Sequence, residues 1–98
     1  MLDAPKLGPM AKFPMLNQGS NFAAMCLVTR GSPPFSFFWS KNGHMIYSDY
    51  AYQFKIENDD YKSILNIDSV GLGHAGNYTC TVRNNYGEDH QSVMLNGN

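Results

Sequence analysis

The 98 residues, 43% hydrophobic, 13% aromatic and 15% charged, suffice for one core and exclude both a second core and a disordered tail. Seven basic residues against eight acidic ones give a net charge of -1, and no two basic residues are adjacent. That pattern leaves no electrostatic footprint for nucleic acid and none for direct contact with an anionic membrane.

Pro5, Pro9 and Pro14 confine the first segment to a sheet edge, because proline cannot donate to a ladder, and two short edge strands are predicted near 5–8 and 11–16. Along 21–30, Phe22, Ala24, Cys26 and Val28 share one face while Ala23, Met25 and Leu27 share the other. Gly31-Ser32-Pro33-Pro34 breaks this strand. Phe35, Phe37 and Trp39 then point one way, and Ser36, Phe38 and Ser40 the other. Lys41-Asn42-Gly43-His44 centres on the Asn-Gly pair that two-residue hairpins favour, and a short strand from His44 to Tyr47 follows.

Residues 51–56 are predicted as a strand with Tyr52, Phe54 and Ile56 in phase, followed by a turn at Glu57-Asn58-Asp59-Asp60. The return strand, 61–67, has Tyr61, Leu65 and Ile67 in phase. Val70 to Gly76 reads as a glycine-rich crossover. Tyr78, Cys80 and Val82 then alternate inward to a turn at Asn84-Asn85-Tyr86-Gly87, and the last strand runs over roughly 88–96. A period of two with turn signals every eight to twelve residues, and no helical period, indicates an antiparallel all-β fold.

No stretch approaches the roughly 18 apolar residues of a membrane span, and MLDAPKLGPM lacks the apolar core of a signal peptide. Neither absence places the protein in the cytosol. Met1 before a proline-rich stretch reads as the start of a module cut from a longer chain, so residues 1–98 are expected to form one domain with others flanking it.

Cys26 and Cys80 lie 54 positions apart, far beyond the CxxC spacing of redox or zinc sites, and each sits in an alternating apolar run. A structural disulfide fits this placement and presupposes an oxidising compartment. Two buried free thiols are the alternative, and mass spectrometry with and without reductant separates the two.

Cys26, Trp39 thirteen residues on, Leu65-Asn66-Ile67 and Gly76-Asn77-Tyr78-Thr79-Cys80 together resemble the intermediate set of the immunoglobulin superfamily. The resemblance spans essentially the whole chain. It implies a Greek-key β-sandwich whose sheets are cross-linked by Cys26 and Cys80, with Trp39 beside the sulfurs, Leu65 in the core and Tyr78 as a tyrosine corner. The short interval from Trp39 to Tyr78 leaves little room for the extra strand pair of variable domains, which disfavours an antigen receptor. The family's usual acidic residue is replaced by His74, and its arginine partner near the 51–56 strand is also missing. Losing both members of a buried ion pair is tolerable, whereas losing one would strand a charge.

The run Ser63-Ile64-Leu65-Asn66-Ile67-Asp68-Ser69-Val70, the segment His74 to Cys80 and the opening Ala4-Pro5-Lys6-Leu7 further resemble arthropod Dscam-type adhesion receptors, most of all their variable domains. That resemblance implies an extracellular recognition module on a single-pass membrane parent, with secreted forms, whose partner is an identical domain on an opposed cell.

Catalysis needs convergent groups, and none is legible. His44, His74 and His90 fall on separate loops or strand ends, the acidic Glu57, Asp59 and Asp60 read as a solvated hairpin tip, and no nucleophile elbow occurs. No cofactor or metal is expected. Asn77-Tyr78-Thr79 is an N-glycosylation sequon whose phase puts Asn77 and Thr79 outward.

On strands 21–30, 51–56 and 61–67 the residues opposite the core phase are Ala23, Met25, Leu27, Gln53, Lys55, Lys62 and Ile64. Met25, Leu27 and Ile64 should converge into an apolar patch of the kind that marks an interface, flanked by Lys55 and Lys62, with Glu57, Asp59 and Asp60 at one end. Antiparallel two-fold pairing would let these opposite charges meet across a homodimer. The opposite sheet offers Phe38, Thr79, Thr81 and Arg83, with Phe38 as its one large exposed aromatic. Three readings follow: homophilic adhesion through the Met25 face, a heterophilic receptor using the Phe38 sheet, and a structural spacer with free thiols and no glycan.

Overall fold

Period-two alternation is realised most fully in β2 (Phe22–Arg30), where Phe22, Ala24, Cys26 and Val28 are buried and Ala23, Met25 and Leu27 are exposed. The computed structural model describes residues 2–10, 17–49, 51 and 53–96. The strand expected at 11–16, and Tyr52, lie outside these. The other strands are β1 (Lys6–Leu7), β3 (Ser36–Lys41), β4 (His44–Ile46), β5 (Phe54–Asn58), β6 (Lys62–Ile67), β7 (Gly76–Asn84) and β8 (Gly87–Leu95). They form two antiparallel four-stranded sheets, ordered β1-β2-β6-β5 and β4-β3-β7-β8.

The facing sides interdigitate around Trp39, Leu65, Ile67, Tyr78, Val82 and Leu95, each at most 1% exposed. Cys26 and Cys80 are joined, with their Cα atoms 6.3 Å apart, and the bond ties β2 of one sheet to β7 of the other. A second tie is polar. The Trp39 indole Nε1–H donates to the Ser63 hydroxyl at 2.8 Å, and that hydroxyl donates to Asn58 Oδ1. Among the described residues Ser63 is the one buried polar side chain, and the two bonds satisfy it. Asn42 and Gly43 take φ of 51° and 85°, the left-handed pair that a two-residue hairpin between β3 and β4 requires.

Three expectations are corrected. The strand expected over 51–56 starts at Phe54 and runs on to Asn58, so Glu57 and Asn58 belong to the sheet. The reason is local: Asp49 and Phe54 bond each other through both backbone groups at 2.9 and 3.0 Å, Asp49 Oδ1 accepts the Ala51 N–H, and Gln53 has φ of +63°. These bonds close a loop where extension was expected. The following turn is accordingly shorter, with Asp59 Oδ1 accepting the N–H groups of Tyr61 and Lys62. Tyr61 therefore precedes β6 and stays half-exposed, its ring 5.9 Å from that of Phe35, where the phase alone put it in the core.

Candidate recognition surface

The outward face of the β1-β2-β6-β5 sheet is fixed by the ladder register. Ala23, Asn66 and Lys55 form one row across β2, β6 and β5; Met25, Ile64 and Glu57 form the next; Leu27 and Lys62 form the third. Met25 is 49% and Leu27 40% exposed on β2, and Ile64, opposite Met25 on β6, is half-buried, so the three converge as an apolar strip. Gln53 does not join them. Its left-handed conformation places it in the loop before β5, exposed, against the cleft that Met45, Tyr47 and Phe54 line.

Charge rims the strip on the β5 side. Lys55 pairs with Glu57 at 3.1 Å and Lys62 with Asp59 at 3.0 Å, all four side chains being largely solvated. The ion pairs expected across a dimer are thus already made within one chain. Contacts to the Tyr61 N–H and then to Lys62 hold the Asp59 carboxyl below its ordinary range. Glu57 joins this face because β5 runs on to Asn58, two residues past the end that the sequence alone indicates. The Phe54, Ile56, Asn58 alternation carries the signal that would have included it.

The other sheet differs from expectation. Phe38 is only half-exposed because the Arg83 guanidinium lies 5.0 Å over its ring, itself held by Glu88 at 3.3 Å. Its exposed apolar residues are instead Met45 and Met94, 48% and 50% accessible. Asn77 lies beside Met94 in the β7–β8 ladder. Among the described residues no group of three or more His, Cys, Asp or Glu side chains converges as a metal site.

Tyr78 makes the tyrosine corner, its hydroxyl donating to the His74 carbonyl at 2.6 Å. His74 in turn accepts the Gly71 N–H on Nδ1 at 2.8 Å and meets Phe54 edge-on with ring centroids 5.7 Å apart. At the position where the family usually carries an acidic residue, His74 thus makes an aromatic contact. Burial pushes the Tyr78 phenol up from 10.0 to about 12. Below pH 10 both folded and unfolded chains keep this proton; above it the unfolded chain releases it first. Stability therefore falls as pH rises from about 10 to about 12. In urea unfolding across that window the wild type should lose stability more steeply than Tyr78→Phe, which itself gives up about 1 kcal/mol at neutral pH with the lost hydrogen bond. Parallel slopes would remove Tyr78 from the titration.

The immunoglobulin I-set domain model matches residues 15–96. The chain belongs to this family. It is 34% identical over 85 residues to Cell adhesion molecule DSCAM of Gallus gallus, covering 86% of this chain and 4% of that protein. It is 32% identical over 91 residues to Cell adhesion molecule Dscam2 of Drosophila melanogaster, covering 93% of this chain and again 4% of the relative. The I-set chain thus spans about one twenty-fifth of the length of these relatives. Among solved structures, the Dscam1 Ig7 domain, isoform 5, superposes with a TM-score of 0.90 at 26% identity, over 97% of each chain. The titin I-band fragment I67–I69 gives 0.88 at 26% identity, over 99% of this chain and 33% of that one. The relatives named as adhesion molecules and the titin fragment share one frame, so the frame alone does not separate their roles.

Proposed function

We propose that this chain is an extracellular cell-adhesion module, part of a longer receptor, that binds an identical domain through the β1-β2-β6-β5 face. The observation that carries the reading is the apolar strip of Met25, Ile64 and Leu27 at the centre of a sheet face, bordered by paired charges. Similarity to proteins named cell adhesion molecules supports it. The joined cysteines favour an oxidising compartment over the spacer reading, which expects free thiols.

The register also selects how two copies would meet. In an antiparallel face-to-face pair whose two-fold axis crosses the strands between the Ala23-Asn66-Lys55 row and the Met25-Ile64-Glu57 row, Lys55 lies over the mate's Glu57, and the contact occurs twice. Lys62 then lies over the mate's Asp68, which continues the outward phase of β6. Moving the axis onto the Met25-Ile64-Glu57 row would set Glu57 over Glu57. Charge thus favours the first register, in which each intrachain Lys55–Glu57 pair becomes half of a four-charge ring of alternating sign.

The test follows from that ring. Lys55→Glu and Glu57→Lys should each weaken self-association about tenfold in sedimentation, because each puts like charges in contact twice. An equimolar mixture of the two should recover association, since both contacts between chains are again opposite in sign. A mixture no stronger than its components sinks the register.

A further inference from the structure

We infer that Asn77 carries an N-linked glycan that covers the outer side of the β4-β3-β7-β8 sheet and leaves the β1-β2-β6-β5 face as the one open to a partner. The inference rests on the extracellular reading proposed above.

Asn77 sits in β7 on the outward phase, with Met94 opposite it in the ladder. Thr79, the sequon hydroxyl, is next outward on the same strand and shares a hydrogen bond with Ser92 at 2.7 Å. A sequon is common in this strand motif, so its presence alone decides nothing. What the structure adds is the state of the amide. The role an Asn side chain would serve here is taken by Asn42, whose Oδ1 accepts the Asn77 backbone N–H at 2.9 Å while its own N–H donates to the Asn77 carbonyl. Asn42 can approach because Gly76 has no side chain: a Cβ there would lie 2.9 Å from Asn42 Nδ2. The Asn77 carboxamide itself makes no hydrogen bond to the described residues, and the residue is only half-buried on the outer side of the sheet. Nδ2 is thus a reactive atom that the fold neither uses nor encloses.

The transfer balances as follows. The donor is an oligosaccharide linked through its anomeric carbon to a lipid diphosphate. The bond from that carbon to the phosphate oxygen breaks, a bond from the same carbon to Asn77 Nδ2 forms, one amide proton is lost, and the lipid diphosphate leaves. The first sugar then lies over the row holding Met94 and beside the row holding Met45, Ser40, Thr79 and Ser92. Met45 and Met94 are about half-exposed apolar side chains on a face whose other outward residues, Phe38 apart, are polar. A sugar ring shields such surface and bars a protein from it.

The chain is to be secreted from eukaryotic cells behind a cleavable signal, and its mass measured before and after peptide N-glycosidase. The expected result is one glycan, removed with conversion of residue 77 to aspartate, absent from Asn77→Gln and Thr79→Ala and retained in Thr79→Ser. An unmodified residue 77 in the folded secreted protein overturns the proposal. For the shielding, glycosylated and enzymatically deglycosylated protein should self-associate within about twofold of each other; a tenfold gain on removing the glycan overturns the face assignment. A chain that is monomeric in both forms while carrying the glycan counts against the homophilic reading and leaves the glycan site established.

Discussion

A Cys26→Ala/Cys80→Ala chain should be less stable than the parent by about 4 kcal/mol in chemical denaturation, the chain-entropy value for a closed loop of this length. Cys26 and Cys80 are 54 positions apart, and both are buried at no more than 1% exposure. The bond therefore removes a large share of the unfolded chain's freedom without spending any surface contact. A domain of this size has a total stability of roughly 5–15 kcal/mol, so the double variant is expected near the margin of folding. Reductant added to the wild type should give the same loss. A decrease below about 1 kcal/mol would mean that the core holds the sheets together unaided. The Trp39-Ser63-Asn58 relay and the Leu7 N–H donated to Asp89 Oδ2 are the polar ties between the sheets that would have to carry the difference.

The frame was legible because its residues have geometric tasks that fix both type and spacing. Cys26, Trp39, Leu65, Tyr78 and Cys80 set the inward phase of four strands, and that phase alone turns Met25, Leu27 and Ile64 outward. The error arose where strand phase is interrupted by local bonding. Asp49 caps the Ala51 N–H and pairs with Phe54, a side chain-to-backbone arrangement that competes with extension, and the sequence between 48 and 53 has no apolar alternation strong enough to oppose it. That one boundary removed Gln53 from the face and hid Glu57. The bonding of Ser63 was illegible for a different reason. Phase puts it inward with Leu65 and Ile67, but only the three-dimensional meeting of β3, β5 and β6 supplies its partners, the buried Trp39 and the exposed Asn58.

The same phase logic makes Ile64→Asp the most informative single change for function. Ile64 is flanked in its row by Met25 and Glu57, so it occupies the middle of the proposed interface, yet its side chain points away from the core formed by Ser63 and Leu65. An aspartate there should cost the isolated domain only about 1 kcal/mol in strand preference, so the protein stays folded in thermal unfolding. In the charge-matched register the carboxylate would lie over the mate's Asn66 with Ala23 beside it and the mate's Lys55 already engaged by Glu57, and dehydrating it there costs several kcal/mol. Self-association should therefore fall at least a hundredfold, which corresponds to about 2.7 kcal/mol. Sedimentation at high protein concentration reads the change directly. Phe38→Ala is the control on the opposite sheet: it loses the Arg83 contact there and should leave the dimer intact. The heterophilic reading expects the converse, a monomer indifferent to Ile64→Asp. A dimer that persists in Ile64→Asp and dissociates in Phe38→Ala would move recognition to the sheet on which Asn77 stands.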